Sequence, residues 1–79
     1  VGDSSKVTTT VIARNGNYTI RHHKKGGRTV VFEVTSGGVV SDKSGAAVLS
    51  SDIAVVRSAF ILNGLSDMAG KVQRWWDRT

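Results

Sequence analysis

The sequence predicts an α+β protein: a four- to five-stranded antiparallel meander sheet with a C-terminal helix packed on one face, completed by a partner subunit. Three observations point there. Residues 7–35 alternate apolar and polar side chains in three runs joined by two glycine turns. Residues 66–77 carry an apolar stripe at helical spacing. The chain has only 79 residues and no cysteine, so its core is small and no disulfide or thiolate metal site can staple it.

Residues 1–6 (Val-Gly-Asp-Ser-Ser-Lys) are polar and read as a flexible N-terminal arm. Residues 7–79 form a single domain, with no internal repeat and no low-complexity linker. Asn15-Gly16 sets the first hairpin, because a two-residue type I′ turn needs positive φ at both central positions. That loop pairs Ala13 with Tyr18, Val11 with Ile20, Thr10 with Arg21 and Thr9 with His22.

Lys24-Lys25-Gly26-Gly27 makes the second turn. A two-residue Gly-Gly loop would set Ile20 against Glu33 and mix the two faces. A three-residue loop, Lys25 to Gly27, sets Ile20 against Phe32 and Tyr18 against Val34, so cross-strand apolar pairs agree. One face then carries Val11, Ala13, Tyr18, Ile20, Val30, Phe32 and Val34. The other carries Thr8, Thr10, Arg14, Thr19, Arg21, His23, Thr29, Glu33 and Thr35, with Ile12 and Val31 as apolar exceptions.

Ser36-Gly37-Gly38 closes the third strand. Two short apolar runs, 39–41 and 46–49, flank the turn residues Asp42-Lys43-Ser44-Gly45 and read as a second hairpin or one bent fourth strand. Residues 53–62 carry two signals. Ile53, Val56 and Phe60 fall at i, i+3 and i+7, Ser51-Asp52 could cap a helix, and Asn63-Gly64 would end one. The β-branched Ile53, Val55, Val56 and Ile61 favour a strand buried on both faces, and the balance leans to strand. Residues 66–77 read as a helix, with Ser66 as N-cap and Asp67 at the positive end of the dipole. Its stripe is Met68, Val72 and Trp75 or Trp76. Gly70 costs roughly 1 kcal/mol against alanine there, unless close packing requires it.

The formal charge is +5, from 11 Lys and Arg against 6 Asp and Glu. Such a charge can serve solubility alone; its functional meaning is a polyanion partner, above all nucleic acid. No apolar run approaches the ~18 residues of a membrane span and no signal-peptide pattern is present, so no membrane partner is expected and the location is cytoplasm or virion.

His22 and His23 are neighbours in a strand and leave opposite faces, so they cannot grip one metal together. No third ligand accompanies them. No nucleophile elbow, acid–base carboxylate pair or phosphate loop is present, so neither catalysis nor a cofactor is expected. Lys24-Lys25-Gly26-Gly27-Arg28 is the densest basic cluster. As a bare hairpin tip it would simply be solvated. Beside Arg14, Arg21 and His23 on the adjoining face, with Thr10 and Thr19 interleaved, it makes a candidate surface for RNA or single-stranded DNA. That face lacks the stacking aromatics common in single-strand binders, since Tyr18 and Phe32 fall on the other side. Trp75 and Trp76 diverge by ~100° on a helix, so one face cannot bury both. One can complete the core while the other, with Met68 and Val72, anchors a subunit interface.

Val55-Val56-Arg57-Ser58-Ala59-Phe60, Gly64-Leu65-Ser66-Asp67 and Trp75-Trp76-Asp77 resemble the last strand and terminal helix of single-stranded RNA bacteriophage coat proteins. The resemblance covers the last third of a chain shorter than the usual coat subunit. It implies dimers whose sheets join edge to edge, helices that cross to the partner near Trp75-Trp76, and an inward sheet face on which Arg14, Arg21 and His23 meet RNA. The order of elements is also similar to that of small single-stranded DNA-binding transcription cofactors. The expected function is therefore non-catalytic binding of RNA or single-stranded DNA by a homodimer or larger assembly, as in a viral coat subunit. The alternative is a small phage or bacterial protein-interaction module, an inhibitor or accessory protein, with no nucleic-acid role.

Overall fold

The computed structural model describes residues 8–23 and 28–79. Four strands come first: β1 (Thr8–Arg14), β2 (Asn17–His23), β3 (Thr29–Val34) and β4 (Val40–Asp42). Two helices follow, α1 (Ser50–Leu62) and α2 (Ser66–Arg78). The strands form one antiparallel sheet in the order β1-β2-β3-β4, and the helices cover one face. The architecture is the α+β meander that the alternating pattern predicts, with two helices instead of one.

Turn chemistry fixes the register. Asn15 and Gly16 have φ of 53° and 81°, as a type I′ turn demands. The predicted partners Ala13–Tyr18, Val11–Ile20 and Thr10–Arg21 face each other. In the second hairpin Ile20 meets Phe32 and Tyr18 meets Val34. Lys24, Lys25, Gly26 and Gly27 lie outside the described residues, but the ladder beside them has the register that a three-residue loop gives.

The fourth strand is shorter than the sequence suggests, and no second hairpin forms. β4 spans three residues. The Asp42 carboxylate then accepts from the Ser44 N–H at 2.8 Å and the Ser44 hydroxyl at 2.7 Å. Gly45, at φ 86°, donates to the Asp42 carbonyl. This turn directs residues 46–49 away from the ladder and toward the helical layer, where Val48 packs against the core.

Residues 53–62 belong to α1, which overturns the strand reading. Their helix is closed at both ends. At the start, the Leu49 N–H donates to the Asp52 carboxylate at 3.0 Å. At the finish, Leu65 N–H donates to Phe60 C=O at 2.8 Å and Gly64 N–H to Ile61 C=O at 3.1 Å, with Gly64 at φ 75°. That pair of bonds is a Schellman motif, which satisfies the orphan carbonyls of the last turn. β-branched side chains keep one favoured rotamer in a helix and cost it only slightly. Burial of Ile53, Val56, Ala59 and Phe60 outweighs that cost.

In α2, Leu65 holds the cap position predicted for Ser66, so the helix starts one place earlier than predicted; no side-chain bond caps it. Met68, Ala69 and Val72 are buried. The core joins them to Ile20, Phe32, Val34 and Val40 of the sheet and to the buried side of α1. Tyr18 and Phe60 lock sheet to helix edge-to-face, with centroids 5.1 Å apart at 84°. No helix among the described residues is long and apolar enough to cross a membrane.

Candidate nucleic-acid interface

Alternation along the strands places the site. Ile20, Phe32 and Val34 turn into the core, so residues one step away turn to the opposite, uncovered face. On that face Ile12, Thr19, Glu33 and Ser41 form one row across all four strands. Thr10, Arg21 and Val31 form the next row. Arg14 stands at the end of β1 and pairs with Asn17. Arg14, Arg21, His23 and Thr10 are exposed, and Thr19 is half-buried.

The two arginines share one groove. A depression of about 330 Å³ is lined by Ile12, Arg14, Thr19, Arg21, Val31 and Lys43. Beside it, Thr10, Ile12, Arg21, His23 and Thr29 line another of about 220 Å³. His23 Nδ1 lies 2.9 Å from Thr29 Oγ1, which ties the ends of β2 and β3. Arg28 is exposed at the sheet margin and lines a separate groove that also includes Lys43. Lys24 and Lys25, the rest of the predicted basic tip, lie outside the described residues.

Lys43 is the cation that sequence reasoning missed. Its N–H donates to the Val31 carbonyl at 2.9 Å, which carries the ladder one residue past β4. Its side chain therefore follows Ser41 onto the open face. The signal was in the sequence: Val40 in, Ser41 out, Asp42 in, Lys43 out. Reading Lys43 as turn tip hid it. Among the described residues, Arg14, Arg21 and Lys43 take part in no ion pair, so their charge is available to an anion. The floor between them is apolar, with Ile12 42% exposed and Val31 half-buried.

The chemistry of this face is that of phosphate and polar contacts. Guanidinium and ammonium groups hold phosphate, threonine hydroxyls bond phosphate, sugar or base edges, and aliphatic side chains give a base apolar contact. No aromatic ring stands on the open face among the described residues: Tyr18 and Phe32 pack on the helix side.

The four predicted interface residues divide. Met68 and Val72 are buried in the core of their own chain, so in this conformation they offer nothing to a partner. Trp75 and Trp76 are both half-buried against that core, with ring centroids 6.0 Å apart. The most exposed large apolar side chains are on α1 and just ahead of it, where Leu62 is 83% exposed, Leu49 60% and Ile61 54%. The sequence does not single out this surface, because a run read as a strand buried on both sides has no outer side.

His22 is buried, with Thr9 Oγ1 at 3.0 Å from Nδ1, beside a groove formed by Thr9, Ala54, Val55, Ser58, Ala59 and Leu62. It sits on the helix side while His23 faces the open side, so the two diverge as strand geometry requires. Comparison with known protein families, with curated proteins and with solved structures finds no match to this chain.

Proposed function

We propose that this protein binds RNA or single-stranded DNA across the open face of its sheet, without catalysis, and works as a self-associating unit of the kind that builds a bacteriophage coat. The observation that carries this reading is the shared groove of Arg14, Arg21 and Lys43 on a sheet face that no helix covers. Three cations, unpaired among the described residues, around a threonine and two aliphatic residues suit a phosphate backbone better than a small apolar ligand. The net charge of +5 draws polyanions to the molecule. The missing aromatics favour binding through phosphate and sugar, with a steep dependence on salt. The exposed α1 residues Ile61 and Leu62 supply an apolar surface for self-association.

The direct test is binding of a labelled single-stranded oligonucleotide across a salt series. Affinity falls steeply with salt, and Arg14→Ala and Arg21→Ala each weaken binding while the far-ultraviolet circular dichroism stays unchanged. Affinity that is flat between low and high salt refutes the reading.

The same exposed α1 surface favours a second reading, a module that docks on another protein and has no nucleic-acid role. Protein purified without nuclease separates the two. Oligomers carrying nucleic acid support the first. A clean monomer without nucleic acid supports the second.

A further inference from the structure

We infer that Glu33 makes the open face selective for guanine in a bound single strand; the inference rests on the nucleic-acid reading above. Glu33 is the one carboxylate in the central rows of this face. It stands between Thr19 on β2 and Ser41 on β4. It lines a groove of about 370 Å³ with Arg14, Asn17, Thr19, Ser41 and Lys43 among its walls, within the ~300–1,000 Å³ range of small-ligand sites. Arg14, Thr19 and Lys43 also line the neighbouring groove with Arg21, so the two depressions adjoin along a shared wall.

The Glu33 side chain is exposed and engages no hydrogen bond or ion pair among the described residues, although Arg14 and Lys43 line the same groove. A carboxylate inside a polyanion site works against phosphate binding by charge alone. It becomes useful when a base presents hydrogen-bond donors to it.

The bases differ sharply in that respect. An ionised carboxylate only accepts. Guanine offers N1–H and the N2 amino group side by side, which match the two carboxylate oxygens. Adenine and cytosine each present one amino donor beside a ring-nitrogen acceptor that repels the second oxygen. Uracil presents its N3–H between two carbonyl oxygens. Guanine O6 lies on the same edge and accepts from a cation such as Lys43. The flanking phosphates then fall to Arg21 and Arg14.

Fluorescence anisotropy on the full chain tests this with three single-stranded RNA oligomers: uridine only, uridine with two guanosines, and uridine with two inosines. Inosine keeps N1–H and loses the N2 amino group. The guanosine oligomer is expected to bind about fivefold tighter than the inosine oligomer, the low end for a bidentate base contact. Glu33→Gln abolishes that preference and leaves affinity for the uridine oligomer equal or higher, because a negative charge has gone. A merely structural role would lower all three affinities together. Guanosine monophosphate alone binds at least about tenfold more weakly than the guanosine oligomer, since it lacks the neighbouring phosphates; equal binding overturns the strand as the source of the base. Salt-dependent binding with equal affinity for guanosine and inosine overturns the inference and leaves the nucleic-acid reading standing, as does a preference that survives Glu33→Gln. No binding to any oligomer overturns both.

Discussion

Gly38 lies directly against the backbone of Lys71: a Cβ at Gly38 would stand 2.6 Å from the Lys71 carbonyl carbon. The turn between β3 and β4 is thereby pressed onto the middle of α2, and Lys71 Nζ donates to the Ser36 carbonyl at 3.3 Å. Gly38 also has φ of 92°, a conformation that side chains resist. Both effects act against Gly38→Ala, and the two nearest atoms it would meet are backbone, which cannot swing aside. Gly38→Ala should lower unfolding free energy by about 2–4 kcal/mol, measured by urea denaturation. A loss under about 0.5 kcal/mol, the scatter of surface substitutions, would mean that the helix does not rest there.

Gly70 is the opposite case. A Cβ there would meet only the Arg74 guanidinium, at 3.3 Å, the far end of a flexible side chain. Close packing does not require glycine at this position, so its backbone entropy is a plain cost to α2. Gly70→Ala should raise stability by up to about 1 kcal/mol. The check is the same denaturation series; a decrease would show that the wall around Gly70 cannot yield.

These two glycines show where the sequence was legible. Asn15-Gly16 could be read because its requirement is local: two positive φ values and an alternating pattern on either side. The register that follows puts Arg14 and Arg21 together on the open face, so much of the candidate site was readable from one turn. Gly38 could not be read, because its demand comes from Lys71, far away in sequence. Residues 53–62 misled for a different reason: their cap and stop signals are local and legible, but the β-branched content outweighed them in the reading. Their β-branched content argues for a strand locally, while the deciding groups are the Asp52 cap and the Schellman bonds at Gly64 and Leu65. Lys43 was missed because its place depends on β4 running one residue into what looked like a turn.

Lys43 gives a prediction about the site. It shares the central groove with Arg14 and Arg21, so Lys43→Ala should weaken single-strand binding to a similar degree as Arg21→Ala. Each substitution should also reduce the slope of log affinity against log salt by about 0.7, the value for one phosphate contact on a single strand. Both side chains are exposed, so thermal stability should stay within about 0.5 kcal/mol of the parent. A weaker affinity with an unchanged slope would assign Lys43 to base or sugar contact.

Leu62 and Val72 separate self-association from folding. Leu62 is 83% exposed and touches the core little, whereas Val72 is fully buried. If copies of the chain meet on the outer face of α1, Leu62→Lys puts a charge into that contact and should convert the assembly to monomer. It should leave the stability of the isolated fold nearly unchanged, because no cavity opens. Val72→Ala should do the reverse, costing roughly 2 kcal/mol through lost burial and a cavity while the folded fraction still associates. Native mass spectrometry after nuclease treatment reads the assembly, and urea denaturation reads the fold. An assembly that survives Leu62→Lys would place the contact elsewhere, with the half-buried Trp75 and Trp76 next in line.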